Sequence, residues 1–138
     1  MLKPPYKVLV VDDEKDVCDV IQSTLEVEFA DRLQIQVCHK ISDAIEIIKK
    51  EDIRIILSDF HLPGERGDTL LQKAQEMHSG IRFIMVTGDL SLETVLNSFL
   101  DGAVSILAKP FTPDELIKSI SACVLHLEYW QKKFSQVN

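Results

Sequence analysis

Five side chains that could share one phosphate chemistry stand at the ends of short apolar runs. Lys7-Val8-Leu9-Val10-Val11 leads into Asp12 and Asp13, and Arg54-Ile55-Ile56-Leu57-Ser58 leads into Asp59. Arg82-Phe83-Ile84-Met85-Val86 leads into Thr87, and Ser105-Ile106-Leu107-Ala108 into Lys109-Pro110. If these ends converge, three carboxylates, a hydroxyl and an ammonium face one another. Clustered carboxylates are unfavourable unless a cation sits among them. Oxygen donors without His or Cys select a hard divalent ion, and Mg²⁺ fits best because it completes its shell with water and phosphate oxygens. Lys109 would neutralise charge on a transferring phosphoryl group, and Thr87 would donate to one of its oxygens. The chemistry implied is in-line attack by Asp59 on phosphorus, giving an acyl phosphate, with positioning and electrostatics supplying the catalysis. Taken alone, an Asp-Asp pair after a strand also reads as a helix cap, and a lone Thr at a strand end likewise.

Near-continuous apolar runs of this length suit parallel strands covered on both faces. The intervening segments carry helix signals. Val17, Ile21, Leu25 and Phe29 recur every four residues between Glu14 and Phe29, and Asp13 could cap that helix. Gln34–Cys38 alternates as a short edge strand, and Ser42 is expected to cap a helix bearing Ala44, Ile45, Ile47 and Ile48. Residues 60–67 form a loop punctuated by Pro63, Gly64 and Gly67, with a third helix from about Asp68 to His78. Ser91 opens a fourth helix that stops at Gly102, and Thr112-Pro113-Asp114-Glu115 is a strong start for the last one. Five βα units with short connections define an α/β fold with right-handed crossovers and three layers. In open sheets of this kind ligands sit beyond the carboxyl ends of the strands, where strand order reverses. That is where all five side chains would meet.

With 138 residues the chain is one domain by length. Fifteen Lys and Arg against twenty-two Asp and Glu give a net charge of −7, which disfavours nucleic acid or an anionic membrane as a direct partner. Cys18, Cys38 and Cys123 are odd in number and far apart, so they read as small buried hydrophobes in a reducing compartment. No stretch reaches the roughly 18 apolar residues of a membrane span, and the first residues lack the apolar core of a signal peptide. A cytoplasmic location is the expectation.

Asp12-Asp13-Glu14, Asp59 followed by Leu62-Pro63-Gly64 and Gly67, Thr87, and Lys109-Pro110-Phe111 together resemble the receiver domain of two-component response regulators. The resemblance covers roughly residues 6 to 127. It implies a flavodoxin-like (βα)5 sandwich with a parallel five-stranded sheet in the order 2-1-3-4-5. It further implies that Asp59 accepts a phosphoryl group from a histidine kinase or a histidine phosphotransfer protein. Mg²⁺ would be bound directly by Asp13, Asp59 and the backbone carbonyl of His61, with Asp12 acting through water. Such a domain is not an enzyme in its own right; it catalyses only its own phosphorylation and dephosphorylation, and the family generally signals through the face made by its fourth helix, fifth strand and fifth helix. On this reading residues 1–127 form the receiver, and 128–138 extend the last helix as a linker or dimerisation segment.

Two features depart from the family pattern or add to it. An aromatic residue usually stands three positions before the lysine and swings inward on phosphorylation; here Ile106 is there, with a stiff χ1 and no ring. In the last helix Leu116, Ile120, Cys123, Leu127, Trp130 and Phe134 form a heptad seam whose amino-terminal half must also cover the sheet; from Leu127 on the helix should outrun it, and a homodimer through that end is expected. His61 is either a solvated loop residue or one that tunes the lifetime of the acyl phosphate. A degenerate receiver used only for docking would also tolerate Ile106. A dehalogenase-like phosphatase would need a second Asp where His61 stands. A flavodoxin-like nucleotide binder would need a phosphate loop where Asp12-Asp13-Glu14 stands.

Overall fold

The computed structural model describes residues 3–78 and 80–137, with side chains described up to residue 133. Its order is β1 (Tyr6–Val11), α1 (Lys15–Phe29), a 3₁₀ turn (Ala30–Arg32), β2 (Leu33–Cys38), α2 (Ile41–Lys50) and β3 (Ile53–Asp59). A small ribbon follows, β4 (His61–Leu62) and β5 (Glu65–Arg66), then α3 (Gly67–Met77), β6 (Arg82–Thr87), α4 (Leu92–Leu100), β7 (Ser105–Ala108) and α5 (Pro113–Val137). One parallel sheet runs β2-β1-β3-β6-β7. With the ribbon's two strands set aside, that is the expected order 2-1-3-4-5.

Alternation along the strands sends side chains into two separate cores. Val8, Val10, Ile55, Leu57, Ile84, Val86 and Leu107 face α1 and α5, where they meet Ile21, Leu25, Leu116 and Ile120. Leu9, Val11, Ile56, Phe83 and Met85 face the other way, against Ile48, Leu70, Leu71 and Ala74 from α2 and α3. Each fully buried aliphatic contributes about 1.5–3 kcal/mol by leaving water. Burial on both faces of the central strands is why their sequences read as unbroken apolar runs.

Several local expectations are corrected. Glu14, not Asp13, occupies the N-cap position of α1, and the amide of Glu14 donates to Asp12 Oδ1 at 2.9 Å. α2 begins at Ile41 with Lys40 at the N-cap, so Ser42 lies inside the helix: Ile41 is 3% exposed, and seating it in the core as the first helical residue sets the start. The expected loop 60–67 contains an antiparallel ribbon, in which His61 pairs with Arg66 and Leu62 with Glu65. Pro63 and Gly64 turn it, Gly64 at φ 76°, the arrangement a type II turn requires. By contrast, Ser91 caps α4 through Thr94 N–H, and Thr112 and Glu115 form a reciprocal capping box on α5.

The amino-terminal half of the α5 seam covers the sheet, as expected. Leu116, Ile120, Cys123 and Leu127 are buried in the chain's own core, which removes them from any coiled coil. Trp130 stands beyond them, 42% exposed, with Nε1 2.8 Å from His126 Nε2. The Phe134 side chain lies outside the described residues. α4 does the opposite: it buries Ser98 while Leu92, Leu96, Phe99 and Leu100 face solvent.

Candidate functional site

The carboxyl ends of β1, β3, β6 and β7 bring the expected side chains together. Lys109, just past β7, extends its ammonium between two strand ends, 2.8 Å from Asp12 Oδ2 and 2.9 Å from Asp59 Oδ2. Glu14 Oε1 lies 3.8 Å away. Burial alone would pull the Lys109 ammonium down; hydrogen bonds and charge from Asp12 and Asp59 outweigh it and hold it above the ordinary lysine value. Asp12 and Asp59 are almost wholly buried, whereas Asp13 is exposed at the rim.

Backbone contacts lock this arrangement across the sheet. The amide of Phe60 donates to Val86 O, and that of Lys109 to Thr87 O, both at 2.9 Å. The amide of His61 donates to Asp59 Oδ1 at 3.1 Å. Gly67 opens α3 against the end of β3, its amide 2.7 Å from Phe60 O. A Cβ there would stand 2.3 Å from the backbone oxygen of Asp59. Only glycine allows that approach.

Ligand atoms of Asp12, Asp13, Glu14 and Asp59 all lie within 4.8 Å of one another. Four carboxylates face one ammonium, all the donors are oxygen, and the cluster opens at Asp13 and Glu14 to solvent. That donor set fits a hard divalent cation such as Mg²⁺. His61 is exposed; its ring packs edge-on against Phe60, and Nε2 is 4.0 Å from Asp89 Oδ2. Thr87 is buried, and its hydroxyl oxygen accepts from the Asp89 amide at 2.9 Å.

Sequence reasoning missed three participants. Glu14 stood in the quoted acidic motif but outside the expected ligand set. Asp89 bonds the Ser91 amide and the Thr94 hydroxyl, contacts that hold its carboxyl below the usual range, and an Asp two residues before a helix cap was its visible signal. His39 donates from Nδ1 to the Asp12 carbonyl at 2.9 Å, and nothing in its sequence setting announced that contact. The three cysteines are buried thiols, Cys18 and Cys123 pushed up to about 11 and Cys38 to about 12, burial being the main cause.

A doubly wound parallel sheet with acids, hydroxyl and lysine at its switch point defines a class of phosphoacceptor proteins. The model of the response regulator receiver domain matches residues 8–121, so this chain belongs to that family, as a receiver domain of a two-component response regulator. It is 32% identical over 131 residues to the regulatory protein VanR of Enterococcus faecium, covering 95% of this chain and 53% of VanR. The chain thus spans about half the length of that relative. A CheY-like response regulator receiver domain protein from Methanospirillum hungatei JF-1 superposes with a TM-score of 0.82 at 30% identity, covering 93% of this chain and 98% of that one. The signal receiver domain of a putative LuxO repressor protein from Vibrio parahaemolyticus gives 0.85 at 23% identity, over 94% and 96%, a likeness of fold. Phosphoryl acceptance is the function of the family. No helix among the described residues is long and apolar enough to cross a membrane.

Proposed function

We propose that Asp59 is the phosphoryl acceptor, supplied by a histidine kinase or a histidine phosphotransfer protein. The supporting observation is the Lys109 ammonium bridging Asp12 and Asp59 within a carboxylate cluster. As an Asp59 oxygen bonds to phosphorus, the phosphorus–nitrogen bond of the donor phosphohistidine breaks and the leaving imidazole takes a proton. Asp13, Asp59 and the His61 backbone carbonyl would hold Mg²⁺ directly, with Asp12 through water. Bound there, the ion supplies positive charge to the phosphoryl oxygens. Lys109 orients the Asp59 carboxylate beforehand and stabilises the anionic product, and the Thr87 hydroxyl donates to one phosphoryl oxygen. An apolar groove lined by Glu14, Val17, Val20, Pro110 and Phe111 opens beside Lys109 and suits a helix of the phosphodonor.

Output is proposed through the face of α4, β7 and α5, covered by a second copy of this chain. Leu92, Leu96 and Leu100 form a ridge at four-residue spacing on α4, with Phe99 and Val104 beside it, all exposed. Ridges of this spacing pack on one another at about −50°, and contiguous exposed apolar residues mark a surface for a partner. The extension from residue 128, bearing Tyr129 and Trp130, adjoins that face as the dimerisation segment.

Incubation with acetyl phosphate and Mg²⁺ tests the acceptor. One phosphate should be added by intact mass, and both EDTA and Asp59→Asn should abolish it. Undiminished labelling of Asp59→Asn refutes the assignment.

A further inference from the structure

Asp12 is held at its backbone by the neighbouring edge strand as well as at its carboxylate. Its amide donates to Cys38 O at 3.2 Å, the step beyond the Val11–Cys38 pairing of β1 with β2. Its carbonyl accepts from His39 Nδ1 at 2.9 Å and from the Cys18 thiol at 3.4 Å. A carbonyl offers no proton, so Nδ1 carries one, which fixes the His39 tautomer. The side chain is equally committed: Oδ1 takes the Glu14 amide at 2.9 Å and Oδ2 takes Lys109. Asp12 therefore has no freedom left except what β2 allows. Beyond β1 the edge strand β2 has no other neighbour in the sheet, and the residues just after it, at the turn into α2, carry the contact.

We infer that His39 is a positioning residue for the cation and phosphoryl site, acting through the Asp12 peptide. The peptide it bonds joins Asp12 to Asp13, so the imidazole sets the direction from which both carboxylates enter the cluster. Outer contacts that orient ligating carboxylates generally alter metal affinity or activity by about 10- to 100-fold. His39 is itself exposed, so the lower end applies. The inference rests on the proposed acceptor reading only for its effect on phosphorylation; the effect on the Asp12 peptide and on the cation is separate.

The chemistry supplies a sharp control. In Asn the amide nitrogen stands at the same bond count from Cα as His Nδ1, so His39→Asn keeps the donor in place, whereas His39→Ala removes it. The intact chain would be followed by NMR without phosphodonor, first metal-free and then across an Mg²⁺ series, with thermal melts alongside. In the metal-free spectrum His39→Ala should move the Asp12 carbonyl carbon resonance away from its hydrogen-bonded value, and His39→Asn should keep it. The Mg²⁺ midpoint should rise about tenfold in His39→Ala and stay near wild type in His39→Asn, with little change in melting temperature for either. An alanine variant with an unshifted Asp12 carbonyl, or an asparagine variant no better than alanine, overturns the inference. Should Asp59 fail to take phosphate while these shifts appear as described, the acceptor reading falls and the role of His39 stands.

Discussion

Replacing Gly67 by Ala places a methyl group 2.3 Å from the Asp59 carbonyl oxygen, 3.0 Å from Phe60 Cα and 3.1 Å from the Asp59 carbonyl carbon. That first distance falls short of ordinary van der Waals contact by about 1 Å. Everything the methyl meets is backbone, and that backbone is pinned by the Gly67–Phe60 and Phe60–Val86 hydrogen bonds. No side chain can rotate away, so either α3 lifts off or the end of β3 moves. Overpacking of this kind costs about 1–3 kcal/mol, and a backbone obstacle puts it at about 2–3. Alanine in a helix offsets up to about 1 kcal/mol relative to glycine. The net loss is about 1–3 kcal/mol, or about 3–10 °C in melting temperature for a chain of this size. Movement of the Asp59 carbonyl by a few tenths of an ångström also misplaces the carboxylate, with a phosphorylation rate lower by about tenfold, since 1 Å can cost about 10². Thermal melts and acetyl phosphate labelling by intact mass check both numbers. Gly88→Ala serves as the stability control, because its methyl would meet nothing nearer than Lys109 O at 3.9 Å. A Gly67→Ala chain with wild-type melting and labelling would refute the close-approach argument.

Lys109→Ala should fold and melt cooperatively but accept phosphate about 10²-fold more slowly, as for loss of one charge-stabilising donor; loss of cooperative unfolding would make Lys109 structural instead. Asp68 accepts from Arg66 Nε at 3.1 Å and from Nη2, contacts that hold its carboxyl below the usual value. A depressed native pKa gives stability present above the unfolded value of about 3.9 and lost as pH falls through the native one. The stability gap between wild type and Asp68→Asn, read from urea midpoints, should therefore be open at neutral pH and close below about pH 4; a gap independent of pH rejects the pairing. In sedimentation the intact chain should dimerise, and both Leu96→Glu and a chain ending at Leu127 should weaken it. If all three sediment as monomers, the proposed interface is wrong.

The fold was legible because its central strands are buried on both faces, so composition alone marks them, and because short connections leave few ways to join them. The convergence of Asp12, Asp59, Thr87 and Lys109 was legible for the same reason: their places are fixed by where strands stop. What escaped was set by contacts between elements remote in sequence. Ser42 looked like a cap because its type suits one, yet the burial of Ile41 moved the helix start. His39 is invisible in one dimension because its partner is a main-chain carbonyl, which every residue has.

α4 shows how these two kinds of information meet. Its apolar residues outnumber its polar ones, yet only Ser98 is fully buried, its hydroxyl donating to Thr94 O at 2.8 Å. β7 is a four-residue edge strand, so little sheet remains for α4 to cover and its leucines turn outward. What does hold its start is polar and leads to the site: the Asp89 amide bonds Thr87 Oγ1, the Asp89 carboxylate bonds Ser91 N and Thr94 Oγ1, and Ser91 Oγ accepts from Thr94 N. Ile106 packs into the core on the α2 and α3 side and has no ring to swing. A Thr87 hydroxyl re-aimed toward a phosphoryl oxygen would loosen the first link of that chain of hydrogen bonds. The next links lie in the first turn of the helix whose apolar ridge is exposed. The hydrogen bonds of Asp89 are thus the contacts through which a change at Thr87 would reach α4, where position 106 offers no ring.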